Sequence, residues 1–165
     1  MFDGPNAKNS KAAGMKRIAI ALAVLGLVSA STAAAAGQAE YRGKTKAGTS
    51  IKFHVAGKTL SGLSTAVPVV CLETTGSYSS TSGVELFQPP GAFRIGTTAK
   101  TKALQPAAMN RGIKATKNYT VTTAPSGARV TGTLKISFSF LRLGADPYHS
   151  LIYICTGTTT FTAAP

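Results

Sequence analysis

From residue 37 onward, apolar residues recur at every second position in short runs bounded by Gly and Pro, and no segment sustains a helical period. Successive side chains of an extended strand point to opposite faces, so this alternation marks half-buried strands. Ile51-Lys52-Phe53-His54-Val55 places Ile51, Phe53 and Val55 on a core face and His54 outward. Ala56-Gly57-Lys58 then turns, and Leu60 to Leu63 starts a return strand. Val67 to Leu72 follows with Pro68 inside it; proline cannot donate to a ladder, which predicts an edge position or a bulge. Val84 to Phe87 and Ala92 to Ile95 flank Gln88-Pro89-Pro90-Gly91, a predicted hairpin turn. After Tyr119 to Thr123 comes the clearest run, in which Leu134, Ile136, Phe138 and Phe140 face a core while Lys135, Ser137 and Ser139 face water. Leu151 to Cys155 and Thr158 to Thr162 close the set. The pattern predicts an all-β domain, an antiparallel β-sandwich or flattened barrel of about eight strands.

Two stretches fall outside that pattern. Residues 74–83 read as a flexible polar loop. Residues 97–118 carry Lys100, Lys102, Arg111, Lys114 and Lys117 with no acid among them, and Pro106 limits any helix to a turn over Leu104 to Met109. A segment of this length without regular structure is usually functional or disordered, so it is expected to be exposed and mobile. Gly57-Lys-Thr-Leu-Ser-Gly62 and Gly127-Ala-Arg-Val-Thr-Gly132 share the form Gly-x-x-[Leu/Val]-[Ser/Thr]-Gly. They read either as a duplicated hairpin with glycines at turn and bulge or as the common likeness of Gly-rich hairpins.

The opening stretch changes the picture of where the chain resides. Lys16-Arg17 precedes the apolar run Ile18 to Val28, and Ser29 to Thr32 and Ala33 to Ala36 follow. Cations, an apolar core of about ten residues and a small-residue exit form the pattern of a secretory signal peptide. A spanning helix needs about 20 apolar residues, which disfavours a retained anchor. The reading is therefore 1–36 as a signal peptide, cleaved after Ala35 or Ala36, with 1–14 as an extended n-region or a start-site extension. Residues 37–165 then form one β domain, secreted or associated with the cell wall.

Charge and cysteines narrow the partners. From Gly37 onward fourteen Lys and Arg stand against four acids, a net charge of +10. Such a surplus attracts anionic polymers through a salt-sensitive term that reads no sequence. Besides the five cations of 97–118, Arg42, Lys44 and Lys46 sit two apart and align on one face if extended. Outside the membrane the candidate partners are anionic cell-wall polymers, lipid headgroups and extracellular DNA. Without aromatic residues interleaved among the cations, sequence-specific nucleic-acid readout is not expected. The domain is expected to be a monomer. Cys71 and Cys155, an even count in an exported chain, predict a disulfide rather than two buried thiols.

Tyr41-Arg-Gly-Lys-Thr45, the strand from Ile51 to Val55 and the close from Cys155 through Phe161 to Ala163 together resemble the small secreted β-domain proteins of unknown function of high-GC Gram-positive bacteria. That resemblance implies a β-sandwich-like fold and carries over no activity, ligand or catalytic residue. Phe161 stands where that group often has Trp, and the basic stretch 97–118 is unusual for it.

Catalytic chemistry finds little to work with. His54 and His149 are the sole histidines and no Gly-x-Ser-x-Gly elbow occurs, so nucleophilic catalysis lacks its base and its turn. Asp146-Pro147-Tyr148-His149 reads as a turn opened by Asp-Pro. Glu73 and Glu85 are the one pair that could face each other across 74–83 as glycoside hydrolysis requires. Two His and two distant Cys offer no metal-ligand cluster, so no cofactor and no metal are expected. The leading reading is a non-enzymatic exported domain at the cell envelope that contacts anionic polymers or protein partners. The second is a small secreted hydrolase or inhibitor with its site in the loops at one end.

Overall fold

A computed structural model describes residues 37–74, 79–143 and 150–165. The signal-peptide reading of 1–36 and the Asp146–His149 turn lie outside the described residues.

Nine strands form one antiparallel sheet: β1 (Ala39–Thr45), β2 (Ser50–Ala56), β3 (Thr59–Glu73), β4 (Ser80–Phe87), β5 (Ala92–Arg94), β6 (Thr98–Pro106), β7 (Lys114–Ser126), β8 (Arg129–Leu143) and β9 (Ser150–Ala164), with a 3-10 turn at Ala108–Asn110. The spatial order is β4-β3-β2-β1-β9-β8-β7-β6, with β5 on β3. β3 and β9 are long enough to have two partners each along one side, so they flank the β1–β2 hairpin and pair directly with each other beyond it. β3 pairs with β2 over Thr59 to Ser64 and with β9 over Val70 to Glu73. β9 pairs with β3 near Cys155 and with β1 over Phe161 to Ala164. β8, β7 and β6 extend the sheet from β9.

Most of the observed strands are longer than the apolar pattern alone marks. The two expected segments Leu60–Leu63 and Val67–Leu72 are one strand, as are Leu151–Cys155 and Thr158–Thr162. Pro68 sits where its missing N–H does least harm. On one side it pairs with Val84 of β4; on the other it falls between the stretches of β3 held by β2 and by β9. Gln88 to Gly91 is a corner and not the expected hairpin turn, because β4 and β5 both pair with β3.

The stretch 97–118 is likewise not a loop. β6 and β7 pair continuously from Thr98↔Thr122 to Pro106↔Lys114. Its strand character is faint in the sequence because the inward positions of β6 are small or polar: Ala99, Thr101, Ala103 and Gln105.

The two Gly-x-x-[apolar]-x-Gly repeats open with the same turn. Ala56↔Thr59 and Ser126↔Arg129 each enclose two residues, with positive φ at Gly57 (59°) and Gly127 (60°) only, the II′ arrangement that suits strand twist. They differ at the second glycine. Gly62 has φ 63° beside a register shift opposite Lys52 and His54. Gly132 has no positive φ; a Cβ there would collide with the carbonyl oxygen of Thr122.

The core fills the inside of the curled sheet. Leu134, Ile136, Phe138 and Phe140 are all buried, and Phe53 packs on Tyr41 (5.5 Å, stacked) and edge-on to Phe161 (5.8 Å). Cys71 and Cys155 face each other across β3 and β9 and form the disulfide.

Candidate anion-binding face

The alternation that buries one face of β6, β7, β8 and β9 exposes the other, and cross-strand register sorts its side chains into ranks. Thr98, Thr122, Thr133 and Thr160 form one rank; Lys100, Thr120, Lys135 and Thr158 form the next; Lys102, Asn118, Ser137 and Thr156 form a third. Neighbours in a rank lie about 4.8 Å apart and successive ranks about 6.8 Å apart, as pleated-sheet geometry sets. Thr98 and Thr122 hydrogen-bond through their hydroxyls at 2.9 Å. β1 adds Lys44, which pairs with Thr162, itself opposite Thr131. Two shallow depressions follow β7, β8 and β9: one of about 300 Å³ around Lys135 and Thr158, another of about 420 Å³ around Thr133 and Thr160. Along these ranks the face carries ammonium, hydroxyl and amide groups and no carboxylate; towards the other end of the strands it exposes Leu104, Leu141, Ile152 and Ile154.

The acids are held elsewhere. Glu73 is buried and accepts a hydrogen bond from Ser79 Oγ at 2.6 Å. Glu85 lies inside the curled sheet, where Lys117 Nζ sits 2.7 Å from its Oε1 and both side chains are 1% exposed. The same carboxylate accepts from the backbone N–H of Ala108 (3.2 Å) and Met109 (3.4 Å), so it ties β4 to β7 and to the 3-10 turn. Among the described residues the one exposed acidic side chain is Glu40. Arg42 donates to it from Nε and Nη2, at 3.1 Å each, and that bond holds the Glu40 carboxyl below its usual pKa.

This geometry redistributes the candidate residues. Lys100, Lys102 and Lys114 are exposed along β6 and the start of β7, on the face just described. Arg111 is exposed in the turn after the 3-10 segment, with φ 51°. Lys117 belongs to the core, which corrects its placement among exposed cations; the acid that pairs with it comes from β4, 32 residues away. Lys44 is exposed on β1; Lys46, also exposed, lies just past the end of β1, where its backbone N–H donates to Thr160 O at 2.8 Å. Arg42 is exposed, but its charge is matched by Glu40. Lys135, which sequence reasoning treated as a mere solvent-facing position, is the cation at the middle of the face; its register opposite Thr120 and Thr158 was not legible before the ladders were known.

Other chemistry is poorly served. Glu73 lies six residues along β3 from Val67, the partner of Glu85. That is about 20 Å of strand, roughly twice the largest separation that glycoside hydrolysis uses. His54 is exposed on β2. Among the described residues, no three His, Cys, Asp or Glu group together as a metal site. Tyr119 donates to Gln105 Oε1 at 2.6 Å, and burial, aided by the Glu85 charge, pushes its phenol up to about 12. A phenol so shifted stays protonated at neutral pH and serves as a structural donor.

Compared with known protein families, curated proteins and solved structures, the chain matches none.

Proposed function

We propose that this chain is an exported, non-enzymatic β domain that adheres to an anionic polymer of the cell envelope along the outer face of β6 to β9. The observation that carries the reading is the composition of that face: Lys44, Lys100, Lys102 and Lys135 stand among ranked hydroxyls without a carboxylate. Cations supply attraction to a phosphate or uronate chain, and hydroxyls and Asn118 supply short-range hydrogen bonds to its oxygens and sugars. Burial or pairing of the described acids leaves that attraction unopposed. The export pattern of 16–36 and the Cys71–Cys155 disulfide favour an oxidising location outside the cytoplasm.

The test is salt elution from immobilised teichoic acid and from heparin. Replacing Lys100, Lys102 and Lys135 with Gln is expected to lower the eluting salt concentration and to flatten its salt dependence by about one slope unit for each cation removed. Arg111→Gln, in the turn, serves as the matched control and is expected to change little. Elution of the triple variant at the wild-type salt concentration refutes the reading.

A further inference from the structure

Where the turns β2–β3, β5–β6 and β7–β8 meet, they enclose a cavity of about 450 Å³ that shares no lining residue with the depressions of the outer face. Its chemistry is divided. Tyr41, Val55, Ile95 and Val130 supply an apolar wall, while Lys58, Arg94 and Arg129 bring three cations from three turns; no acid lines it. Val55 and Val130 are buried and Tyr41 is backed by Phe53, so the apolar wall is part of the core and fixed in place.

The rim is fixed as well. Ile95 N donates to Lys58 O at 2.8 Å, joining the first two turns. Gly96 N donates to Thr123 Oγ1 at 3.2 Å and Thr123 N to Thr97 O at 3.1 Å, joining the second turn to β7. Gly57, Gly96 and Gly127 all have positive φ, so the chain turns tightly here. An added Cβ at Gly57 or Gly127 would meet nothing within 4 Å, which leaves the mouth open. Backbone bonding joins Lys58 to the turn after Arg94, and no carboxylate is among the residues that line the cavity.

We infer that this cavity is a binding site for an organic phosphate monoester with a compact apolar body. The charge argues for phosphate: a dianion answers three cations better than a carboxylate does, and guanidinium groups match phosphate oxygens in a two-bond fork. The apolar wall argues for a body beyond the phosphate, since inorganic phosphate would leave the half-buried Tyr41 and Ile95 facing water. The volume lies in the range of small-ligand pockets. The inference does not rest on the polymer-binding face, and the two fail independently.

The experiment is equilibrium titration of the full chain with 1-naphthyl phosphate, alongside 1-naphthol and inorganic phosphate as the two halves of the probe. Naphthyl phosphate is expected to bind saturably, with each half at least about tenfold weaker, a difference of about 1.4 kcal/mol. The double variant Arg94→Gln/Arg129→Gln, at two exposed side chains, is expected to weaken the probe by about tenfold or more. The variant with Lys100, Lys102 and Lys135 replaced by Gln is expected to bind it as wild type does. Equal affinity for inorganic phosphate reduces the site to surface charge and overturns the inference. So does retention of affinity in the arginine variant, or an equal loss in the lysine variant.

Discussion

Lys117 occupies an inward position of β7, in step with Ala115, Tyr119 and Val121, where alternation would place an aliphatic side chain. Its ammonium is tolerated there because Glu85 lies 2.7 Å away and because the Phe138 ring, with its centroid 5.9 Å from Nζ, offers a negative face. Desolvation of two charges consumes much of their attraction, so the pair adds little to stability as a whole while either member alone is expensive to leave behind. Lys117→Met strands the Glu85 carboxylate in the core and is expected to lower unfolding stability by about 3–5 kcal/mol. Adding Glu85→Gln removes the stranded charge while keeping an oxygen for the Ala108 and Met109 amides, and should restore part of the loss. Urea denaturation of the single and double variants measures both. A single variant as stable as wild type would show that the pair is not buried in solution.

At the scale of elements, β1 is held by an approach so close that a side chain has no room. A Cβ at Gly43 would overlap the carbonyl oxygen of Thr162 and lie 2.7 Å from Ala163 Cα, backbone atoms that cannot swing aside. Gly43 has no positive φ, so its value is the approach it allows between β1 and β9 and not a special conformation. Gly43→Ala is therefore expected to push β1 off β9 and to cost about 1–3 kcal/mol, as overpacking does. Faster hydrogen exchange at the amides of β1, measured alongside the denaturation midpoint, would locate the damage. Exchange unchanged in β1 would mean that the strand pairing does not depend on this approach. Gly57→Ala carries a different expectation, since open space surrounds that Cβ and only the positive φ opposes it.

The whole molecule depends on the seam between β3 and β9, whose four residue pairs join the two strands directly beyond the β1–β2 hairpin. The disulfide lies within that seam and closes a loop of 84 residues. In the chain-entropy account a loop of that length stabilises the fold by about 4–5 kcal/mol, with native strain reducing the figure. Cys71→Ser/Cys155→Ser is expected to lower the thermal midpoint substantially and to leave the outer face of β6 to β9 able to bind heparin if the remaining ladders hold. Calorimetry and heparin elution of that variant check both halves. A midpoint equal to wild type would show that the ladders hold the seam without the covalent link.

Much of this architecture was already written in alternation and punctuation. Ile51 to Val55 and Leu134 to Phe140 read correctly because their apolar residues are large and their outward residues polar, so one face is unmistakable. Gly57 and Gly127 marked their turns because only glycine adopts that φ at no steric cost. The cysteine pair was legible from its even count together with the export pattern expected from residues 16–36. Tertiary structure alone decided the facing of β4, because Val84-Glu85-Leu86-Phe87 marks neither face by itself: Val84 is 54% and Leu86 48% exposed while Glu85 and Phe87 are buried. Register against Val67 and Val69 of β3 sets that parity, and the buried charge is acceptable only because Lys117 comes from a strand distant in sequence. The ranks of Thr and Lys on the outer face and the three cations around the turn cavity have the same origin. Each strand carries only its own column of residues, and it is pairing between strands, invisible to any local pattern, that turns columns into a surface.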